Sequence, residues 1–375
     1  MGTTLKELLA PNTILGVVDV LMGALPKDHM PAGLFGDAGT IQPVIGDTGY
    51  IVRGAGTHRA AKQAMRGSVS RPRTISGIAK RPEALIHSAE HMEIKADDCR
   101  AIVDYNANPG ANSLAVSASV ARSEIARIQR QATTLSMNLR TAAVTSAFAL
   151  GHIYFDGDGE LLASSSGAVI DVDYGIPAAN LNQVSSSISA SWATASTKIV
   201  SKDLDALKLH MRKQSGRIAK HVIYGSDIKQ YLMANTEAKE FMFRNMAFNQ
   251  SMLGNAGNGD VFQLGGLTWW PGYQGFYRNS SDTATTFLPA DAIVVLPDPS
   301  PDWYQMQEGF ELIPTEAFGS GMSLEDLFNN TMTRQGIFQY ADGMKDPIRG
   351  KLVYGDNFLP AIHVPEAVII ADVVP

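Results

Sequence analysis

The sequence predicts an α+β fold. A stripe of apolar residues at helical spacing runs through 112–152, the hydrophobic period changes to that of strands after Gly151, and short helices and strands are mixed from residue 201 onward. The chain has 375 residues, of which 45% are hydrophobic and 18% charged. This composition is typical of a globular protein, and the length indicates two or three folding units.

Composition also excludes several classes of protein. The single cysteine, Cys99, excludes an intramolecular disulfide framework and a CxxC metal or redox site. The net charge of −6 argues against a dedicated nucleic-acid-binding protein. The most apolar stretch, 14–25, is too short to span a bilayer and contains Asp19. We therefore expect an intracellular protein with no membrane segment and no signal peptide.

Charge is distributed unevenly along the chain. Residues 51–82 contain eight basic residues and no acidic residue, whereas residues 141–197 contain five acidic residues and no lysine or arginine. Blocks of one sign usually mark a solvated face or an interaction surface. The basic residues are Arg53, Arg59, Lys62, Arg66, Arg71, Arg73, Lys80 and Arg81, and the acidic residues are Asp156, Asp158, Glu160, Asp171 and Asp173.

The basic block predicts a long two-stranded excursion with a flexible, cationic tip. Its flanks, 44–52 and 74–78, are rich in β-branched residues, and glycine and serine are frequent between them. A free hairpin of that length cannot bury its own surface, so we expect it to contact a partner in the same chain or in another. An exposed mobile loop is the alternative.

The longest regular element is a helix predicted over 112–152. Pro109-Gly110 precedes it, and Asn112 or Ser113 can supply the N-cap. We expect this helix to pack one face on a sheet, a coiled coil being the alternative, and to expose the opposite face. The apolar stripe comprises Ala121, Ile125, Ile128, Ala132, Leu135, Leu139 and Ala142, and the opposite face carries Arg122, Arg127, Arg130 and Arg140.

Shorter elements follow. Asp156-Gly157-Asp158-Gly159 between 153–155 and 161–162 predicts a hairpin with a primed turn, and the Ser/Ala/Thr-rich stretch 185–197 predicts a hinge. Ser201 is expected to cap a helix that ends at Gly216, and Ser226 to cap a second one. We predict a buried strand at 218–224, helices at 202–214, 226–233 and 236–247, strands within 261–270, 276–278 and 292–296, and a tail, 352–374, that returns to the sheet of the first unit.

Two patterns suggest chemistry. His87-Ser-Ala-Glu90-His91 matches the HxxEH zinc-peptidase pattern, which requires both histidines one helical turn apart on one face. Trp269-Trp270 and the aromatic residues after them could stack bases or sugars. Packing or capping explains the first pattern more simply, and core or interface packing the second. We therefore predict a structural protein that is not an enzyme and has no catalytic residues, metal or cofactor.

In this order, the elements resemble those of a tailed-phage major capsid protein with the HK97-like fold. Three stretches are similar to the lambda-type branch, the phage capsid protein E family: KHVIYGSDIKQYLMANTEAKEFM at 220–242, FLPADAIVVLP at 287–297 and DPIRGKLVYGDNFLPAIHVPEAVIIADV at 346–373. The resemblance implies a subunit that assembles as hexamers and pentamers into an icosahedral head around double-stranded DNA. It also implies assembly in the bacterial host cytoplasm and a place in the virion.

The resemblance further implies a division of the chain and a set of partners. The division is an N-terminal arm at 1–39, an extended loop at 40–100, a peripheral domain at 101–200 with a spine helix at 112–152 and a β-hairpin, an axial domain at 201–335, and a return to the peripheral domain at 336–375. The implied partners are other copies of the chain, a scaffolding protein, a portal, a decoration protein and packaged DNA held without sequence specificity. Although Lys62 and Lys80 lie in the loop, no covalent crosslink is expected in this branch.

The charge asymmetry suggests how neighbouring subunits meet. We expect Arg53, Arg59, Lys62, Arg66, Arg71 and Arg73 of the loop to lie on Asp156, Asp158, Glu160, Asp171 and Asp173 of a neighbour. Contact of the same cations with packaged DNA is the competing hypothesis. Two alternative functions remain: an encapsulin-type compartment that encloses protein cargo, and a zinc-dependent peptidase that uses His87, Glu90 and His91.

Overall fold

A computed structural model describes residues 41–54, 78–95, 118–181, 187–244, 261–272, 277–279, 283–314, 331–345 and 348–374. The helices are α1 (Ala118–Leu150), α2 (Leu204–Ser215), α3 (Ile228–Ala234) and α4 (Thr236–Arg244). The first nine strands are β1 (Ile41–Val44), β2 (Thr48–Gly54), β3 (Ile78–Ala84), β4 (Ile86–Lys95), β5 (His152–Phe155), β6 (Leu161–Leu162), β7 (Ile170–Asp173), β8 (Ala219–Tyr224) and β9 (Phe262–Leu264). The others are β10 (Leu267–Pro271), β11 (Tyr277–Arg278), β12 (Ala284–Thr285), β13 (Ala292–Pro297), β14 (Tyr304–Pro314), β15 (Thr331–Gln335), β16 (Phe338–Lys345), β17 (Ile348–Ile362) and β18 (Ile369–Asp372).

The predicted long helix is present as α1, whose 33 residues span about 50 Å. The expected caps, Asn112 and Ser113, lie outside the described residues. Two side chains differ from the prediction: Leu135 is 41% exposed, and Arg140 is buried. The predicted stripe advances by 3.5 residues per turn, whereas a straight α-helix has 3.6, so the stripe drifts away from the packed face. The burial of Arg140 depends on partners distant in sequence.

A six-stranded sheet supports α1. Its strand order is β1-β14-β17-β16, with β15 also paired to β14 and β4 also paired to β17. The central strand β17 is 15 residues long and pairs with β4, β14 and β16. Ile128 and Ala132 of α1 pack against Leu352 and Tyr354 of β17. The expectation that the helix packs on a sheet is therefore confirmed.

A second sheet has five strands in the order β18-β13-β8-β10-β9. The predicted buried strand at 218–224 is β8, at the centre of this sheet. Its two faces contribute to different cores, because Ile223 packs with the core beneath α1 whereas Val222 and Tyr224 pack with the core beneath α2. Burial on both faces explains why the strand is nearly continuously apolar instead of alternating.

The C-terminal strands join both sheets, which differs from the predicted tail. β17 belongs to the six-stranded sheet, but β18 pairs with β13 in the five-stranded sheet. Likewise, β14 and β15 lie in the six-stranded sheet, although the expected division placed 201–335 in one domain. The chain leaves the five-stranded sheet between β13 and β14. Strand partners distant in sequence decide this exchange, and a pattern confined to one strand carries no signal of it.

Of the predicted helix ends, the C-terminal end at Gly216 is confirmed, whereas the two predicted N-caps are wrong. Gly216 does end α2 in the left-handed conformation, with φ 68°. Ser201, however, lies inside a π-helical turn at Ile199–Asp203, so it does not cap α2. Asp227 rather than Ser226 immediately precedes α3. The side chain of Asn235 accepts a hydrogen bond from the Ala238 amide in the first turn of α4.

The described part of the predicted hinge, 187–197, is packed instead. Trp192 is fully buried, and its Nε1 donates to Asp203 Oδ2 at 2.9 Å. The backbone amide of Trp192 donates to Val373 O. A buried aromatic anchor with both donors satisfied holds this segment against the body of the subunit.

The hairpin after α1 is confirmed, but its turn is longer than predicted. Phe155 pairs with Leu161, and the Asp156 amide donates to Glu160 O at 3.0 Å. Gly159 has a φ of 82°. This geometry is a three-residue loop with a left-handed glycine, not a two-residue primed turn.

Among the described residues, none of the helices has the length and apolar character needed to span a bilayer.

We expect alanine at Gly355 to destabilise the six-stranded sheet. An added Cβ would overlap the backbone carbonyl of Ser88 in β4 and lie 2.6 Å from Phe338. Neither neighbour can yield without shifting a strand, so the free energy of unfolding should fall by about 1–3 kcal/mol. Urea unfolding measures this loss. Gly157→Ala, whose Cβ would meet Val169 at 3.8 Å, is the matched control and should change little.

Candidate assembly interface

The acidic block forms a small exposed sheet with the strand order β6-β5-β7. β5 and β7 pair directly, with His152 opposite Asp173 and Tyr154 opposite Asp171. On the outer face, His152 Nδ1 lies 2.9 Å from Asp171 Oδ1, and the His152 ring stacks on Tyr154 at 5.1 Å between centroids. The inner face is closed by Ile153, Phe155 and Val172, which are buried. We call this element the acidic sheet.

The five acidic residues have different roles in the acidic sheet. Asp156 Oδ1 accepts hydrogen bonds from the amides of Asp158 and Glu160, so this carboxylate holds the loop closed. Asp173 Oδ1 accepts from the Gly175 amide at 2.6 Å. Asp158 and Asp171 are exposed. Because Asp156 and Asp173 accept hydrogen bonds from backbone amides within the subunit, Asp158, Glu160 and Asp171 are the better candidates for contact with a partner, and of these Asp171 also contacts His152.

Exposed apolar side chains lie beside these carboxylates. Val169 is 72% exposed and Ile170 is half exposed. The Val169 amide donates to Phe155 O at 2.7 Å, which fixes these residues at the edge of β5. A surface that combines carboxylates with exposed aliphatic groups is suited to a partner that is both cationic and apolar.

The predicted two-stranded excursion is present at its base. β2 and β3 pair antiparallel from Thr48–Ala84 to Gly54–Ile78. Arg53 lies in β2, opposite Ala79. The rest of the candidate cationic set, Arg59, Lys62, Arg66, Arg71 and Arg73, lies outside the described residues. The paired strands therefore flank the cationic segment 55–77, with Gly54 at its start and Ile78 at its end.

The base of this ribbon touches the acidic sheet within one subunit. Arg81 Nη1 donates to the backbone carbonyl of Asp173 at 2.9 Å. The Arg81 guanidinium also forms an ion pair with Glu83. Arg81 is therefore already engaged inside the subunit.

A buried ion cluster that the sequence did not reveal connects α1 to the six-stranded sheet. The Arg140 guanidinium binds both carboxylate oxygens of Asp356, through Nε at 2.8 Å and Nη2 at 2.6 Å. Its Nη1 donates to Glu308 Oε1 at 2.6 Å, and Gln335 donates to the other oxygen of Glu308. Arg140 also lies over the Phe358 ring at 5.3 Å. A bidentate pair of this kind fixes orientation as well as distance.

Burial and charge act against each other in this cluster. Burial alone lowers the pKa of Arg140, but the carboxylates of Asp356 and Glu308 outweigh it and raise that pKa above its ordinary value. Burial raises the pKa of Asp356, and Arg140 opposes this rise. Arg140 therefore stays charged, and its attraction to Asp356 and Glu308 offsets the desolvation cost of the two buried carboxylates.

The HxxEH motif does not have the geometry of a metal site. His87, Glu90 and His91 lie on β4, where residues four apart are separated by about 13 Å. His87 contacts Glu311 at 3.2 Å, and Glu90 accepts a hydrogen bond from Tyr354. No group of three or more metal-binding side chains occurs within the described ranges. The zinc-peptidase alternative required both histidines on one face of a helix, and it is wrong on this point because the motif lies on a strand.

The tryptophan pair is not a stacking platform. Trp269 is fully buried, stacks on Phe262 and donates to Leu264 O. Trp270 donates to His221 Nδ1 at 3.2 Å. Both indoles belong to the packing around the five-stranded sheet, as expected for aromatic residues on strands.

Two buried histidines predict that the subunit is less stable in mild acid. Burial lowers the pKa of His363 and of His221 below 6.5, although Asp298 partly offsets this at His221. The unfolded chain then binds protons that the folded chain does not, so the free energy of unfolding should fall as the pH drops below about 6.5. The slope is at most about 1.4 kcal/mol per pH unit for each histidine.

Thermal unfolding between pH 8 and pH 5 measures this dependence. His363→Asn removes one of the two groups and should flatten the slope. An unchanged slope in that variant would contradict the assignment to His363.

The chain is similar to known capsid proteins in sequence and in structure. The family model described as phage major capsid protein E matches residues 18–307. A solved structure of the putative capsid protein of a prophage of Escherichia coli CFT073 superposes with a TM-score of 0.56 at 13% identity, covering 98% of this chain and 99% of that one. No curated protein sequence matches the chain at a significant level.

Two other solved structures are more distant. A phage-related protein from Bordetella bronchiseptica superposes with a TM-score of 0.49 at 11% identity, covering 96% of each chain. The holo-SrpI encapsulin complex from Synechococcus elongatus superposes with a TM-score of 0.40 at 10% identity, covering 90% of this chain and 84% of that one.

The long helix on a sheet, the two-stranded ribbon and the second sheet thus form the HK97-like capsid fold. The chain belongs to the phage major capsid protein E family, because the family model matches more than half of it. It is a phage major capsid protein that self-assembles into the phage shell, and its place is the virion. The family is a structural one.

Proposed function

We propose that the subunits assemble as hexamers and pentamers into an icosahedral head around double-stranded DNA, and that the extended loop at 40–100 of one subunit lies on the acidic sheet of its neighbour. Assembly takes place in the bacterial host cytoplasm, with a scaffolding protein, a portal and a decoration protein as partners. The subunit catalyses no reaction and forms no covalent crosslink in this proposal. The packaged DNA is held without sequence specificity.

The observation that supports the loop contact is the separation of charge between the sequence of the loop and the surface of the acidic sheet. The ribbon of β2 and β3 leads into 55–77, which contains Arg59, Lys62, Arg66, Arg71 and Arg73 and no acidic residue. The acidic sheet presents carboxylates beside Val169 and Ile170. The loop sequence also contains apolar residues such as Met65, Val69 and Ile75, which match the exposed aliphatic groups.

Magnitudes show what such a contact contributes. A single exposed ion pair is worth about 0–1 kcal/mol, so individual pairs cannot hold a shell together. An array of pairs favours one register and suppresses wrong encounters, while apolar burial supplies most of the affinity. In this proposal the charged side chains determine which surfaces pair and in which register, and the aliphatic side chains supply most of the binding affinity.

Light scattering with negative-stain imaging tests the shell. The purified protein, expressed alone and with a candidate scaffolding protein, should form megadalton particles with hexameric and pentameric capsomers. A stable monomer or small oligomer under both conditions would contradict the proposal. DNA protected from nuclease inside heads made during infection separates a phage head from an encapsulin-type compartment, which would hold protein cargo instead.

A further inference from the structure

The outer edge of β2 is hydrogen-bonded by side chains. The Tyr50 amide donates to Gln307 Oε1 at 2.8 Å, and Gln307 Nε2 donates to Tyr50 O at 2.7 Å. Two residues further along, the Val52 amide donates to His363 Nδ1 at 3.1 Å. Residues i and i+2 of a strand direct their backbone groups to the same edge. The two side chains therefore act as a short substitute for a neighbouring strand.

Both side chains are buried and held by the body of the subunit. Gln307 lies in β14, whose backbone pairs with β1 and β17. His363 directly follows β17, and its Nε2 donates to Gln305 Oε1 at 3.0 Å. A Cβ on Gly49 would lie 2.5 Å from Gln307 Oε1, which shows how closely β2 approaches this side chain. The backbone of β2 cannot shift without breaking these contacts.

Two further contacts hold the ribbon. Ile51, between Tyr50 and Val52, is fully buried in the core beneath α1. On β3, Arg81 donates to the carbonyl of Asp173 at 2.9 Å. Contacts on both strands fix the tilt of the ribbon as well as its position before the chain enters 55–77.

We propose that Gln307 and His363 are positioning residues for shell assembly, which set the direction in which the extended loop leaves the subunit. The inference rests on the proposed function, in which that loop contacts a second copy of the chain. The ribbon acts as a lever because Val52, the last anchored residue, lies two residues, or about 7 Å, before the end of β2 at Gly54. A tilt of about 10° at the anchor moves Gly54 by about 1 Å, and the displacement grows in proportion to the distance from the anchor, so charged groups of the loop would no longer meet partners that must lie within about 4 Å.

Two substitutions at His363 each keep one of its two hydrogen bonds: asparagine can keep the bond from Val52, and glutamine can keep the bond to Gln305. Asparagine places its Oδ1 where Nδ1 lies and keeps the acceptor, whereas glutamine reaches the position of Nε2 and loses that acceptor. Both replace the imidazole ring by an amide. In the unassembled subunit we expect hydrogen exchange of the Val52 amide to be about fivefold faster in His363→Gln than in His363→Asn.

Assembly should be impaired in the variant that loses the bond to Val52 and preserved in the variant that keeps it. His363→Gln should give shells of irregular shape by negative-stain imaging, and His363→Asn should give regular shells. Gln307→Met, which removes both bonds to Tyr50 at similar volume, should resemble His363→Gln. A purely structural role would lower the melting temperature of both His363 variants alike and leave the shells regular.

Equal exchange and equal shells from the two His363 variants would overturn the proposal. Faster exchange with regular shells would overturn it too, because the bond would then have no effect on assembly. The proposed loop contact is tested separately by reversing charges in 55–77, which leaves both bonds intact. Regular shells from that reversal would contradict the loop contact without bearing on the exchange difference.

Discussion

Replacing Arg140 by methionine is expected to lower the free energy of unfolding by about 3–5 kcal/mol. The substitution leaves Asp356 and Glu308 buried without their counter-ion, and it removes three charge-assisted hydrogen bonds. Urea or thermal unfolding of the subunit measures the loss. Since burial then favours protonated carboxylates, the deficit should be larger at pH 8 than at pH 5.

Two controls isolate the charge from the packing. Arg130→Met, at an exposed position of the same helix, should change stability by no more than about 0.5 kcal/mol. The triple variant R140M/E308Q/D356N removes all three charges at nearly constant volume and should recover much of the stability. A triple variant as unstable as R140M would show that lost packing, not an uncompensated charge, is responsible.

Reversing Arg66, Arg71 and Arg73 to glutamate is expected to abolish shell assembly while the subunit stays folded. The loop would then carry negative charge toward a negative surface, and like charges brought together at an interface cost several kcal/mol. Reversing Asp158, Glu160 and Asp171 to lysine should have the same effect. Asp156 and Asp173 are left unchanged because they hold the loop and the end of β7. Light scattering measures assembly, and circular dichroism checks the fold.

Mixing the two reversed subunits distinguishes contact between subunits from contact within one. Each variant repels itself, but a loop-reversed subunit and a sheet-reversed subunit attract each other in both directions. The two variants can alternate around a ring of six subunits but not around a ring of five, because five is an odd number. We therefore expect the mixture to form hexamers but not pentamers. Normal shells from either variant alone would contradict the contact, and no rescue on mixing would contradict its placement between subunits.

The sequence was informative where the signal is local. The helix at 118–150, the strand at 219–224 and the end of α2 at Gly216 follow from hydrophobic period and glycine conformation, which neighbouring residues determine. The blocks of like charge could also be found from the sequence, because the residues of each block are close together in the chain. Helix starts were less accurate: Ser201 and Ser226 each offer a hydroxyl, but the chain enters both helices by another path.

The candidate site divides in the same way. The acidic residues were found from sequence, but their unequal roles were not, because whether Asp156 closes a loop depends on the turn it adopts. Gln307 and His363 carried no signal, since each acts on a strand more than 250 residues away in the chain. The HxxEH pattern was readable but misleading, because the motif has helical spacing and the segment is a strand.

The sequence by itself determined the periodic elements, the segregation of charge and the resemblance to capsid proteins. Only the tertiary structure decided that Arg140 is buried, that β17 and β18 belong to different sheets, and that side chains from β14 and the end of β17 hold the base of the ribbon. The physical reason is that period and propensity act over a few residues. Strand partners and buried ion pairs, in contrast, join segments that meet only when the whole chain is packed.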